Sequence, residues 1–231
     1  MVQTSLIILT RNEIEGVRAL IRKIPFEAVG EFFAVDYNSV DGTVEFFKKN
    51  QIEVVKQKQP GRGRAFEIGL KRAKGQFLVF FSPDGNENPA DIPKLIALVK
   101  KGNDLAIASR FMRGARNEDD AKVFKFRAWA NRAFTFAVRV LWGGQVTDTI
   151  NGYRAIRKDS LSQLKLDATG FAIEYQMTIR ALKLGMKIAE IPTIEGNRIG
   201  GQSTSYAIPT GFKFIYYLAR EILIDKSFLN G

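Results

Sequence analysis

The sequence predicts an α/β protein with a mostly parallel central sheet, helices on both faces of it, and an amphipathic helix at the carboxyl end. Three observations carry that expectation. Short apolar runs of strand length alternate with stretches of helical period. Each run ends in polar or glycine residues, at the edge where α/β sheets place their ligand crevice. The 231 residues, 45% of them hydrophobic, suffice for one substantial core, and no segment reads as linker or low complexity.

The elements follow in order. SLIIL (Ser5 to Leu9) leads to a helix near Glu13 to Ile24, with Thr10 and Glu13 spaced as a capping box. EFFAVD (Glu31 to Asp36) runs through NSVDGT to a helix near Val44 to Asn50, and EVVKQ (Glu53 to Gln57) runs through PGRGR to a helix near Ala65 to Ala73. FLVFFS follows, then a helix opened by Pro89 or Asp91 near Leu95 to Lys100, then DLAIAS (Asp104 to Ser109). In the second half an amphipathic helix is expected from about Val123 to Trp142, and GGQVTDTINGYR forms a loop around Asp148. A helix near Ile173 to Leu184 precedes the strand KIAEIP; after the loop NRIGGQSTS a last helix starts near Pro209. That helix reads as apolar nearly all round, so it packs into an oligomer or lies in a membrane interface with Lys213 and Arg220 reaching out. The chain divides into a domain over 1–206 and a terminal helix over 207–231 that is not a domain of its own.

The segment Phe77 to Pro89, FLVFFSPDGNENP, delivers Asp84 and Asn86 to a strand tip. A loop carboxylate with an amide two residues on is half of a site for Mg²⁺ or Mn²⁺ shared with a substrate diphosphate; an Asp-Gly turn alone would look the same locally. The chain has no cysteine and no histidine, which excludes disulfides, thiolate metal sites and the commonest general base. Chemistry must rest on carboxylates, amides and arginines, with or without a metal held by oxygens. Met1 leads directly into SLIIL without a cleavable signal pattern, and no apolar run reaches the roughly 20 residues of a spanning helix. The expected place is the cytoplasm.

The net charge is +11. Arg110, Arg113, Arg116, Lys122, Lys125, Arg127, Arg132 and Arg139 are interleaved with Phe111, Phe124, Phe126, Trp129, Phe134, Phe136 and Trp142. Such a mixture suits nucleic acid, an anionic membrane surface, or a solvated basic face.

At this point the residues carry a resemblance. SLIILTRNE resembles the opening strand and P-T-Y-N-E turn of family 2 glycosyltransferases, VDYNSVDGT their V-D-D-G-S-x-D-G-T turn, and PGRGRAFEIGLKRAKG their glycine-punctuated helix. FFSPDGNENPADIPKL falls where that family has F-x-D-A-D-G-Q-x-P-x-D-I-P. The likeness runs on through IASRF, RAWANR, VTDTINGYRAIRK and FAIEYQMTIRALKLGMKIAEIP to NRIGGQST, over roughly residues 4 to 206. Asp148 with GYR, and the basic helix before it, resemble the polyprenyl-phosphate sugar synthases of the dolichol-phosphate mannose synthase type. Two departures stand out: Ser82 replaces the first carboxylate of the metal motif, and Tyr37 and Asn38 replace the second carboxylate and the glycine of the nucleotide turn.

The resemblance implies a GT-A fold and an inverting transfer of a sugar from a nucleoside diphosphate sugar to a polyprenyl phosphate at the inner membrane face, with peripheral attachment. It implies Thr10, Asn12, Glu13, Asp36 and Arg62 at the nucleotide sugar, Asp84 and Asn86 at the metal and diphosphate, and Arg110, Arg127, Asn131 and Arg198 at the acceptor phosphate. Arg62 lies between Gly61 and Gly63, where small residues let a backbone approach a ligand. Arginine forks suit phosphate, and Arg127 and Asn131, four apart on a predicted helix, share a face. Asp84 and Arg127 are the expected catalytic groups together with Asp148, which either organises the acceptor site through an arginine, acts as a base, or caps a loop. A phosphate acceptor is already largely anionic at neutral pH and needs no strong base, in keeping with the missing histidine. Rival readings are a glycosyltransferase acting on a sugar hydroxyl with Asp148 as base, a nucleotidyltransferase, and a non-catalytic nucleic-acid binder.

Overall fold

The computed structural model describes residues 2–117, 126–200 and 207–230. Its strands are β1 (Thr4–Thr10), β2 (Glu31–Asp36), β3 (Val54–Lys56), β4 (Phe77–Phe81), β5 (Leu105–Ser109), β6 (Arg154–Arg157) and β7 (Ile188–Pro192). Its helices are α1 (Ile14–Leu20), α2 (Thr43–Lys49), α3 (Arg62–Arg72), α4 (Ile92–Lys100), α5 (Phe126–Trp142), α6 (Lys158–Gln163), α7 (Ile173–Lys183) and α8 (Ala207–Ile224).

The strands form one sheet in the order β3-β2-β1-β4-β6-β5-β7, parallel except for β6, which runs against both β4 and β5. All of β1, β4 and β5 is buried, as strands covered on both faces must be, and this is why they read as unbroken apolar runs. Alternate side chains enter two cores. Leu6, Ile8, Val79, Phe81 and Ala106 pack under α1, α2 and α4; Ile7, Leu9, Phe33, Phe80 and Ile107 pack under α3, α5, α6, α7 and α8. Register decides what meets at the ligand edge. Thr10 of β1 pairs with Asp36 of β2, and Ile8 pairs with Phe81, so the residues after Phe81 emerge beside those after Thr10.

Three expectations change. The capping box is not formed: the Thr10 hydroxyl donates to Asp36 at 2.9 Å, and the first turn of α1 is capped from elsewhere, by Asp41 Oδ2 accepting the Ile14 amide at 2.9 Å. β6 and α6, absent from the sequence reading of elements, fill RAIR and KDSLSQ; a four-residue strand gives too short a pattern to read. The last helix is not bare all round. Phe214 packs into the core, while Glu221 is fully buried with Arg180 at 2.9 Å and Lys183 at 2.8 Å. Val123 to Lys125 of the expected amphipathic helix, with Lys122, and Gly201 to Ser205 of the glycine and serine loop lie outside the described residues. Among the described residues no helix is long and apolar enough to cross a membrane.

Candidate functional site

The strand tips of β1, β2 and β4 open into a cavity of about 420 Å³ that runs to the walls of α5 and α8. That volume falls within the range of small-molecule sites.

At the first end, Thr10 and Glu13 line the cavity, whereas Asn12 and Asp36 do not. Asp36 is buried, its carboxylate taken up by the Thr10 hydroxyl and by the Ser39 amide and hydroxyl. Asn12 accepts the Val40 amide at 2.9 Å and donates its own amide to Ser39 at 2.8 Å. Both therefore shape the two turns, with Asp36 engaged behind the cavity wall. In their place the wall carries Arg11, whose guanidinium lies 5.1 Å from the centre of the Tyr37 ring, and buried Gln57, which spends both amide hydrogens on the carbonyls of Gln59 and Gly61. Neither Arg11 nor Gln57 was anticipated.

Beyond Phe81 the chain turns through Ser82 to Asn86, and residues 195–199 cross that turn as a strap. Gly196 donates to the Asn86 carbonyl at 3.0 Å and Ile199 to that of Asp84 at 2.7 Å. The approach requires glycine at 85, which has φ of 102°; a Cβ there would stand 2.6 Å from the Asn197 carbonyl oxygen. The strap holds Arg198 over Asp84, with Nη1 donating to Oδ2 at 2.9 Å and Nη2 to Glu13. Arg198, expected at the acceptor, thus stands among the carboxylates of the strand tips.

Arg62 lies beneath. It donates to Glu174 and, at 3.0 Å, to the Ser82 hydroxyl, and it lies 3.9 Å from Glu87, which accepts the Ser82 amide at 2.7 Å. The flanking glycines serve a different approach from the one expected. A Cβ at Gly61 or Gly63 would stand 2.1 or 1.9 Å from the carbonyl oxygens of Thr169 and Ala168, so they admit another backbone rather than a ligand. Glu87 sat unremarked inside the motif, and Glu174 meets Arg62 across 112 residues, a distance that gives no local signal.

Four carboxyl groups, Glu13, Asp84, Glu87 and Glu174, here face two guanidiniums. The consequence is visible in their acidities. Burial, with Asp84 and Asp41 nearby and Arg198 opposing, pushes Glu13 up to about 7. Burial, with Arg62 opposing and Asp84 and Glu174 adding, pushes Glu87 up to about 8. Oxygen donors in a carboxylate-rich tip fit a hard divalent cation shared with a diphosphate. No cage of three or more acidic residues exists among the described residues, so protein alone would supply only part of the shell.

The other end is built differently. Asp148 is fully buried and grips Arg110 with both oxygens, at 2.7 Å to Nε and 3.0 Å to Nη2, while accepting the Ile150 and Asn151 amides. Burial would raise its pKa, but Arg110 outweighs burial and holds it below the ordinary value. A carboxylate so engaged is an organiser of Arg110 and has no oxygen left to take a proton, so of the three roles expected for it the base does not fit. Arg110 also faces Glu195 at 3.7 Å, so its charge is already balanced. Behind this loop, buried Arg154 donates to the carbonyls of Asn151 and Glu174, and burial draws its pKa down to about 10. Arg127 and Asn131 share the cavity-facing side of α5, with Phe126, Phe134, Phe171 and Phe214 around them.

Residues 5–165 match the family described as Glycosyl transferase family 2. The chain is 32% identical over 212 residues to the undecaprenyl-phosphate mannosyltransferase of Micrococcus luteus, covering 85% of each protein. It is 30% identical over 213 residues to the dolichol-phosphate mannosyltransferase of Pyrococcus furiosus, covering 87% of this chain. It spans 58% of the length of that Pyrococcus protein and 64% of a Haloferax volcanii glycosyltransferase 26% identical to it. In fold it is similar to glucosyl-3-phosphoglycerate synthase from Mycobacterium tuberculosis, solved with Mn²⁺, uridine diphosphate and phosphoglyceric acid, at a TM-score of 0.76, 22% identity, 95% of this chain and 78% of that one.

Proposed function

The chain belongs to glycosyl transferase family 2, and from that premise we propose that it transfers a sugar, with inversion, from a nucleoside diphosphate sugar to a polyprenyl phosphate while attached peripherally to the inner face of the cell membrane. One observation carries the reading: a carboxylate and arginine cluster at one end of a cavity faces, at the other, an arginine and an asparagine set among phenylalanines. The first end suits a diphosphate with its cation, the second a phosphate that bears an apolar chain.

Asp84 and Asn86 would hold Mg²⁺ or Mn²⁺ together with the donor diphosphate, and when bound that cation neutralises charge on the departing group. Arg127 and Asn131 would hold the acceptor phosphate, oriented so that one of its oxygens attacks the anomeric carbon. The bond to that oxygen forms as the bond to the diphosphate oxygen breaks, and the electron pair leaves with the nucleoside diphosphate. No base is needed, since the attacking phosphate is already anionic. The locked carboxylate of Asp148 supports this over a hydroxyl acceptor, which would require a proton acceptor there. Exposed Phe126, Trp129, Phe136 and Val140 on α5, with Phe212, Ile215, Tyr216 and Leu223 on α8, support docking on lipid. The relatives named for undecaprenyl and dolichol phosphates point to the same acceptor class.

The test incubates the protein with uridine and guanosine diphosphate sugars, Mn²⁺ and undecaprenyl phosphate, and follows the sugar into the lipid phase. Transfer to lipid phosphate is expected; transfer to a sugar hydroxyl with none to lipid overturns the reading. Liposome co-sedimentation checks the membrane part: binding to anionic vesicles at low salt, to which each basic residue near the surface contributes about 1 kcal/mol, is expected, and salt should weaken it. Protein left in the supernatant assigns the apolar faces to a subunit contact.

A further inference from the structure

Gly211 sits in the fifth position of α8, inside the helix, where glycine weakens the structure relative to alanine. Nothing in the packing of the described residues demands it. A Cβ built there meets no atom of the described residues within 4 Å, in contrast to Gly61, Gly63 and Gly85, where a backbone stands in the way. Yet Gly211 lines the cavity, as do Thr210 and Phe214 of α8 and Ala130 and Phe134 of α5. The outer sides of these two helices are the exposed apolar ones.

From this we infer that Gly211 is a portal: its missing side chain leaves the opening through which the apolar chain of the acceptor passes from the phosphate at Arg127 and Asn131 to the outer surface between α5 and α8. The inference rests on the acceptor reading above and names the residue that sets how bulky a chain the site admits. An isoprenoid, branched at every unit, is wider than a straight acyl chain, so a residue that widens the exit at its first units suits it. Small polar acceptors would leave the gap unused.

The experiment replaces Gly211 with Phe and with Leu in the full chain, and measures two things. One is the dependence of transfer on undecaprenyl phosphate in detergent; the other is binding of uridine and guanosine diphosphate with Mn²⁺ by calorimetry, which also reports that the fold is intact. Both variants should raise the lipid phosphate requirement by about tenfold or more, the scale on which a pocket discriminates by bulk, with diphosphate affinity within about twofold of wild type. Gly211→Ala should fall between them and wild type. Unimpaired lipid use by Gly211→Phe overturns the portal. Lost diphosphate binding in both variants overturns it too, because the residue would then serve the donor end or the fold. Wild-type protein that binds diphosphate but makes no lipid product overturns the acceptor reading, and the portal with it.

Discussion

The two ends of the cavity are held by different forces. At the strand tips two sets of ion pairs lie side by side, Arg198 with Glu13 and Asp84 and Arg62 with Glu87 and Glu174, each guanidinium engaging more than one carboxylate. At the helices the lining is aromatic, and Arg127 has no ion pair among the described residues. A charged, short-range lattice fixes groups to within tenths of an ångström, as a reacting diphosphate and its cation require. An apolar wall with one open cation holds a phosphate while letting a long chain vary. The dense charge of the helical end lies behind its wall, where Glu221 of α8 meets Arg180 and Lys183.

The contrast makes predictions of graded size. Glu221→Ala strands two buried cations and should cost about 3 to 5 kcal/mol in urea unfolding, because a buried pair is expensive to break from one side. A loss below about 1 kcal/mol would show that α8 is held by its apolar face alone. Next, Asp84→Ala should lower transfer about a hundredfold or more and weaken diphosphate binding in the presence of Mn²⁺, since the carboxylate acts where charge develops. Activity within about threefold of wild type, with EDTA also harmless, would remove the strand tips from the chemistry.

Asp148→Asn keeps the shape but leaves Arg110 facing Glu195 without its bidentate partner. A stability loss of about 2 kcal/mol is expected, with the acid side of the pH–activity profile unmoved. A lost acid limb would restore Asp148 as a base. Arg127→Ala should raise the lipid phosphate requirement by roughly tenfold while donor binding stays unchanged, which is what an isolated phosphate contact contributes. An equal loss of donor affinity would erase the division into two ends.

The last effect is a slope with pH. Glu13 and Glu87 keep their protons in the folded state up to about 7 and about 8, whereas the unfolded chain releases them near 4.5. Over that window the folded state binds more protons, so these groups stabilise at low pH and their contribution is lost as pH rises through 7 and 8. Thermal unfolding from pH 5 to 8 without metal should show stability falling, and Glu87→Gln should flatten the curve. An unchanged slope in that variant would place the strain elsewhere.

How much of this was legible differs between the ends as well. The strand tips were, because β1, β2 and β4 are continuous apolar runs whose ends fall at fixed points, and Thr10, Glu13, Arg62, Asp84 and Asn86 line the cavity where the residue pattern put them. What could not be read was direction. Asp36 and Asn12 sit at the right height yet turn into the loops, and Arg198 reaches the strand tips because a strap bound through Gly85 and Gly196 lays it there. Glu174 and Glu87 became visible only as partners of Arg62.

By itself, then, the sequence determined the layered α/β plan, the carboxylate at the tip of β4, the absence of histidine chemistry and the apolar character of the last helix, all of which follow from residue type and local period. Tertiary structure alone decided that Asp148 is locked onto Arg110, that Arg198 faces Asp84, that α8 is pinned by a buried glutamate while exposing its other side, and that Gly211 opens on a cavity. Each of these depends on groups tens of residues apart meeting in space. A side chain's partner is set by the packing of whole elements, and no local pattern along the chain encodes it.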